Sequence, residues 1–376
     1  MSKETCEVVI VGAGIVGAAS ADVFTERGLR VTIVDRDVVG GGATAAGMGH
    51  IVVMDDSDAQ FALTNYSQRL WRELQPQLPD DVEYERCGTI WVAADENEMA
   101  EVLRKREYYR SRGVSVEVLD AVQLKQAEPN LRDDLAGGLL VPGDVVLYPP
   151  CAARFLIWRA QQRGAKLRMG ASVVKILENS VQLSDGQEIS ADIVVNAAGA
   201  SSPDLSPGIE VRKRKGHLVI TDRYPGFLHH QLVELGYLNS AHSITRDSVA
   251  FNVQPRRTGQ ILIGSSRQYG ADHKEIDQPV LASMIHRARE YMPALGSISA
   301  VRVWTGFRAA TPDKLPLIGP CPGHKTLFLA TGHEGLGITT SLGTARILLD
   351  QVTGAKAEIP VEPYLPSRVT REFAHA

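Results

Sequence analysis

The chain has 376 residues, of which 44% are apolar and 22% charged, and a formal net charge of −4. That balance fits a globular protein with a core large enough for two domains, and it argues against a general nucleic-acid binder. The four cysteines, Cys6, Cys87, Cys151 and Cys321, are scattered without a C-x-x-C pair, so no metal site and no iron–sulfur centre is expected within the chain.

The first apolar run, Val8-Val9-Ile10-Val11, meets Gly12-Ala13-Gly14-Ile15-Val16-Gly17, a G-x-G-x-x-G turn. A helical pattern follows over 18–27, then a strand over 30–34 that ends in Asp35, with Arg36 beside it. Strand, turn, helix, strand and acid within about thirty residues make a dinucleotide-binding βαβ unit. Gly12 permits the turn, Gly14 lets backbone approach a pyrophosphate, and Gly17 lets the helix pack on the strand. Ile15 opens the helix whose N–H groups face the phosphates, and Asp35 is placed for a ribose diol. The apolar stretch 8–24 carries this motif and is broken by Asp22, so it is not a membrane span. The first strand starts almost at Met1 with no leader-like segment before it, and a reducing, cytoplasmic setting is expected.

Gly40 to His50 is crowded with glycine and alanine, which suits backbone lying against a flat ring or a phosphate. Helical patterns are read over 57–74 and 98–112, the second polar-faced, with a strand over 83–93 between them. Pro150 opens a helix over 151–163, followed by strands over 166–169 and 172–177 and a hairpin turn at 184–187. A buried strand over 191–200 ends in small residues, Gly199 among them, that let backbone approach a ligand. The basic run Arg212-Lys213-Arg214-Lys215 reads as a solvated strand edge. Antiparallel strands are expected over 217–221, 248–254 and 260–265, and a helix over 280–291. A strand over 326–330 leads into a second glycine-rich helix start, Gly332-His333-Glu334-Gly335-Leu336-Gly337-Ile338, on a helix running to 349. Its N–H groups and dipole favour negative charge on a cofactor ring.

Five ordered segments, GAGIVG with Asp35, AAGMGH, ADIVVNAAGASS, GFRAATPDKLPLIG and ATGHEGLGITTS, together resemble the D-amino acid oxidase, glycine oxidase and sarcosine oxidase family of FAD enzymes. The resemblance covers nearly the whole chain. The wording KGHLVITDRYPG, HHQLVELGYLNSAHS and TGHEGLGITTSLGTA is most similar to the catalytic β subunits of multi-subunit, dye-linked amine dehydrogenases, such as D-hydroxyproline dehydrogenase, octopine and nopaline oxidases, hydrogen cyanide synthase and related L-proline dehydrogenases. It implies an α/β fold in which a Rossmann-like FAD-binding domain (1–83, 142–212 and 306–366) interleaves with a substrate domain on a mixed, largely antiparallel sheet (84–141 and 213–305), with a tail at 367–376.

Carried over by position, Gly14 and Ile15 would border the FAD pyrophosphate, Asp35 the adenosine ribose, and Ala43 and Thr44 the phosphates. Gly47, Met48 and Gly49 would touch the flavin, Val174 would pair its backbone with adenine, and the loop from Gly332 to Ile338 would cover the pyrimidine end. Arg308 falls where glycine oxidase-like members grip the substrate carboxylate. Gly306 stands near the position of a flavin-linked cysteine in monomeric sarcosine oxidases, so FAD is expected to be non-covalent. Leu262 stands in place of a lysine associated there with oxygen activation.

The implied reaction is oxidation of an amine bearing a carboxylate, by hydride transfer to flavin N5, giving an imine. Electrons would pass to an α partner subunit, or to α and γ partner subunits, carrying flavin or iron–sulfur centres. An oxygen-using amino acid oxidase and a purely structural flavin relay subunit are the alternatives. Arg308 suits a carboxylate because its planar fork binds bidentately, against the plainer reading of a structural ion pair. His333 is placed either to tune the amine or ring, since imidazole titrates near neutrality, or to make a supporting hydrogen bond. Glu334 is a candidate helix cap or receiver of the substrate ammonium. His50 and Tyr237 are further catalytic candidates, with a packed or surface position the simpler reading for both.

Overall fold

The computed structural model describes residues 4–236 and 247–369. In chain order the elements are β1 (Glu4–Val11), α1 (Ile15–Glu26), β2 (Val31–Asp35), α2 (Gly42–Ala45), β3 (His50–Ile51), α3 (Asp58–Leu74), β4 (Thr89–Ala93), α4 (Glu96–Arg110), β5 (Glu117–Asp120), α5 (Ala121–Ala127), β6 (Gly137–Val141), β7 (Val145–Val146), α6 (Pro149–Gln162) and β8 (Lys166–Met169). There follow β9 (Val173–Leu177), β10 (Ser180–Leu183), β11 (Glu188–Asn196), α7 (Ser202–Leu205), β12 (Arg212–Thr221), β13 (Gln231–Glu234), β14 (Ser248–Pro255), β15 (Ile261–Tyr269), α8 (Gln278–Tyr291), β16 (Ala300–Ala310), β17 (Leu317–Pro320), β18 (Leu327–Thr331), β19 (His333–Glu334) and α9 (Gly337–Thr353).

The β-branched runs build the first sheet, ordered β17-β18-β11-β1-β2-β8, with β10 and β9 branching from β11. Strands β18, β11, β1, β2 and β8 are parallel. A parallel sheet must be covered, and α1, α6 and α9 pack together over it. Val8, Ile10 and Ile33 are buried in the same core as Phe24 of α1 and Leu156 of α6. Side chains stop the helices where the sequence places caps: Ser57 accepts from the Gln60 N–H at the start of α3, and Asp95 from those of Asn97 and Glu98 at the start of α4.

The second sheet is ordered β19-β16-β12-β15-β14-β13-β4-β6-β5 and is antiparallel except where β13 meets β4. Helix α8 backs it, with Tyr291 stacked on Phe251 at 4.6 Å between ring centroids. This is the expected α/β architecture, a Rossmann-like sheet interleaved with a mixed, largely antiparallel one.

Local departures from the sequence reading have physical causes. The strand expected over 83–93 covers only Thr89–Ala93, because a 3-10 turn at Asp80–Val82 ends in Glu83 with a left-handed φ of 50°. The polar-faced helix α4 buries Lys105, which ion-pairs with Asp55 and lies 4.1 Å from the Trp91 ring centroid. The basic run is not a solvated edge: β12 lies between β16 and β15, and Arg214 and Lys215 are buried. Strands β5, β6, β7, β13 and β16 were not expected. Among the described residues no helix is long and apolar enough to cross a membrane.

Candidate active site

The two sheets enclose a cleft of about 450 Å³. At its first-sheet end, Gly12 has φ 113°, and a Cβ there would strike the Ala197 carbonyl. Its N–H donates to the Val34 carbonyl at 2.8 Å, closing the turn. Asp35 is held by backbone: Oδ2 accepts from the Ala13 N–H at 2.6 Å and Oδ1 from the Asp37 N–H at 2.8 Å. The carboxylate is thereby fixed beside the glycine turn, with Arg36 next to it in the cleft wall. Thr44 Oγ1 accepts from the Ile15 N–H at 3.0 Å, which ties α2 to the start of α1. Gly14, Ile15, Ala43 and Thr44 all line the cleft.

Gly47 lies where a Cβ would strike Ile338 Cδ1, and Met48 packs with Leu218 and Leu262. Gly199, which accepts from Thr331 Oγ1 at 2.9 Å, lines the same space, as does the whole segment from Gly332 to Ile338.

Gly17 packs beneath the turn, where a Cβ would strike the Gly12 carbonyl, at the helix–strand contact read for it. Two residues of the expected cofactor set lie outside the cleft lining. Gly49 (φ 96°) faces the Leu147 carbonyl, away from the cleft. Val174 is exposed, because strand alternation turns Val173 inward, and Ala171, Ser172 and Val173 line the cleft instead.

Arg308 enters from β16. Its register sets it opposite Arg214 on β12, and its Nη1 donates to the Ser266 carbonyl at 2.9 Å. The guanidinium lies across Gly216, where a Cβ would overlap it. His50 lines the cleft beside it, and burial pushes its pKa down to about 4, with the Arg308 charge acting in the same sense and a Gly335 backbone hydrogen bond opposing. His333 is buried, with Nε2 2.9 Å from Thr344 Oγ1, and burial pushes its pKa down to about 3. Of the two roles read for His333, the contact with Thr344 suits the supporting hydrogen bond, and desolvation disfavours the charged form that tuning near neutrality would need.

Glu334, with φ 55°, ion-pairs with Arg214, whose Nη1 also donates to the Tyr269 hydroxyl at 2.9 Å. It does not cap α9, whose first turn has no side-chain cap. Tyr237 lies outside the described residues. Reading of the sequence missed Arg214, Gln231, Asn252, Ser265 and Arg267, which also line the cleft. Polar residues inside strands look solvent-facing until the sheet order is known.

A flat dinucleotide fits these residues. Glycines stand where side chains would fill the space, Asp35 offers a fixed carboxylate, and the first residues of both α1 and α9 border the cleft. Fold and site thus define a dinucleotide-binding protein of the α/β class, whose cleft has a separate, arginine-bearing wall.

Comparison with known proteins gives the family. Residues 7–351 match the DAO family, described as FAD dependent oxidoreductase. Glycine oxidase of Pseudomonas aeruginosa is 30% identical, over 96% of this chain and 98% of that protein. The hydrogen cyanide synthase subunit HcnC of the same organism is 26% identical, over 99% and 98%. The crystal structure of glycine oxidase from Geobacillus kaustophilus superposes with a TM-score of 0.87 at 25% identity, covering 97% of this chain and 99% of that one. The chain belongs to the DAO family and is an FAD-dependent oxidoreductase acting on amino acids or amines.

Proposed function

We propose that the substrate is an amine that also carries a carboxylate, of the D-hydroxyproline, proline-like or opine type, oxidised at the carbon bearing nitrogen. The observation that carries this reading is Arg308 on the cleft wall, its Nη1 anchored on the Ser266 carbonyl and its plane laid against Gly216. A planar fork fixed in this way matches a carboxylate and sets which C–H bond faces the cofactor.

FAD, when bound, supplies the hydride acceptor. Asp35 would hold the ribose, the start of α1 the pyrophosphate, and Gly47, Met48 and the segment from Gly332 to Ile338 would frame the ring. His50 and His333, with pKa values near 4 and 3, stay neutral at pH 7 and lack the basicity to deprotonate an ammonium. Neither imidazole therefore serves as the base for the amine, and Arg308, not an imidazolium, orients the carboxylate.

Leu262 supports electron transfer to a protein partner rather than to oxygen: it is buried in apolar contact with Met48 and Leu218, and offers no cation there. The HcnC relative, by name a subunit, points the same way. An oxygen-using oxidase of the glycine oxidase type is the second reading, favoured by the 30% identical relative. Arg308 speaks against a relay-only subunit, which has no use for a carboxylate anchor.

The test is steady-state oxidation of D-hydroxyproline, D-proline, L-proline, sarcosine and opines, with an artificial dye and with oxygen alone. Turnover with dye and slow peroxide formation are expected. Arg308→Lys should raise KM by at least about tenfold, since charge-assisted bonds are worth about 1.5–3 kcal/mol. Rapid stoichiometric peroxide would move the chain to the oxidase reading, and an unchanged KM would remove Arg308 from the substrate site.

A further inference from the structure

One wall of the cleft carries polar groups that the protein itself leaves unsatisfied. Thr89 on β4 faces Gln231 on β13, and Trp91 faces Val233, which in turn faces Asn252 on β14. Asn252 faces Gly264 on β15, whose next residues are Ser265, Ser266 and Arg267. The register carries one face across β4, β13 and β14 to Gly264; β15 then shifts register against both its neighbours, and Ser265 and Arg267, on either side of the Ser266 carbonyl that anchors Arg308, also line the cleft.

Along this wall Gln231, Asn252 and Ser265 line the cleft at 3%, 6% and 4% exposure. Gln231 Oε1, Asn252 Oδ1 and Ser265 Oγ are buried with no hydrogen-bond partner. Buried polar atoms are nearly always paired, and leaving one unpaired is costly. A cluster of them beside a carboxylate anchor is what a site looks like when its partner is a ligand.

We propose that this wall is a second substrate anchor, and that the chain selects amines bearing a neutral hydrogen-bonding group, such as a hydroxyl, beyond the carbon that is oxidised. The inference rests on the carboxylated-amine reading above and adds the chemistry of the substrate's far end. Amides and a hydroxyl both donate and accept, as a substrate hydroxyl does, so the match needs no added charge. A hydrocarbon analogue leaves the same atoms desolvated and unpaired, and sites built in this way discriminate strongly against the analogue that lacks the polar group. Arg308 fixes one end of the substrate and the wall reads the other.

The experiment compares the FAD-loaded protein on matched pairs, D-hydroxyproline with D-proline and L-hydroxyproline with L-proline, using a dye acceptor. In at least one pair the hydroxylated member should be favoured by about tenfold or more in kcat/KM, as one or two recovered hydrogen bonds would give. Asn252→Leu and Ser265→Ala should each narrow that ratio, while Arg308→Lys should weaken both members alike. The flavin visible spectrum and thermal melting establish that each variant is folded and loaded; should Asn252→Leu not load, Ser265→Ala carries the comparison. Equal kcat/KM within every pair, or a preference that both wall variants leave untouched, would overturn the wall as a second anchor. Failure of every amine in both pairs, of sarcosine and of opines to reduce the flavin would instead refute the carboxylated-amine reading, and the anchor with it.

Discussion

Gly216→Ala separates the arginine's position from its chemistry. Gly216 faces Gly306 across the β12–β16 ladder, and its φ is not left-handed, so alanine suits the backbone. In a strand interior, replacing glycine by alanine gains about 0.5–1 kcal/mol of backbone entropy. The new Cβ, however, would lie 2.8 Å from Arg308 Nη2 and 2.9 Å from Cζ, nearer than van der Waals contact allows. The obstructing atoms are the end of a long side chain, so the guanidinium moves and the strands need not. Moving it breaks the 2.9 Å bond to the Ser266 carbonyl and takes the fork out of line. A charge-assisted bond contributes about 1.5–3 kcal/mol, which corresponds to a fall of about 10- to 100-fold in kcat/KM. Steady-state kinetics with a dye acceptor, read beside FAD content and thermal melting, makes the comparison. The expected result is a melting temperature and FAD content close to wild type with kcat/KM down by that factor. Wild-type kinetics would refute the placement of Arg308 as the carboxylate anchor, and loss of FAD would show that the strand moved instead.

FAD should be held without a covalent bond, since Gly306 offers no thiol and a Cβ there would already overlap Ala46 Cβ; acid precipitation should leave all yellow colour in the supernatant, and coloured pellet would contradict this. Asp144 supplies a pH test away from the cleft chemistry. It is fully buried, accepting from Gln68 Nε2 at 2.9 Å and the Val53 N–H at 3.3 Å, and burial pushes its pKa up to about 7. Because the folded value lies above the unfolded value of about 4, the stability it contributes is complete below about pH 4 and is lost as pH rises through 7. Asp144→Asn should therefore melt higher than wild type at pH 8 and similarly at pH 4; a difference independent of pH would show that Asp144 is ionised in the fold.

What could be read in the sequence was local. The turn at Gly12, the helix start at Gly14 and the acid Asp35 come together within one βαβ unit that spacing alone predicted; the hydrogen bond from the Ala13 N–H to Asp35 was not part of that reading. Helix α3 and strand β8 followed from short-range patterns in the same way. The second sheet was legible only in pieces. β4 pairs with β13, and Gln231 meets Thr89 across a long stretch of chain, so nothing near Gln231 in sequence announces its place in a cleft. Arg214 and Lys215 misled because a basic run usually marks water; here β12 is central, Glu334 pairs with Arg214, and the Glu275 carbonyl accepts from Lys215 Nζ. His333 was found by its motif, yet its protonation depends on burial that no motif encodes.

The ladder between β16 and β19 sets how this cleft can work in time. Ala309 faces Glu334 and Ala310 faces His333, so the strand that carries Arg308 is sewn to the segment that leads into α9. The buried Arg214–Glu334 pair adds a second stitch at the same place. Jaws joined along a seam do not swing open like a clamshell: parting them would expose the seam's hydrogen bonds and leave a charge unpaired in the interior. Substrate and product must then come and go around the rim, by motions of side chains and short loops. Arg308 and the segment leading into α9 are thus held at a spacing set when the chain folds.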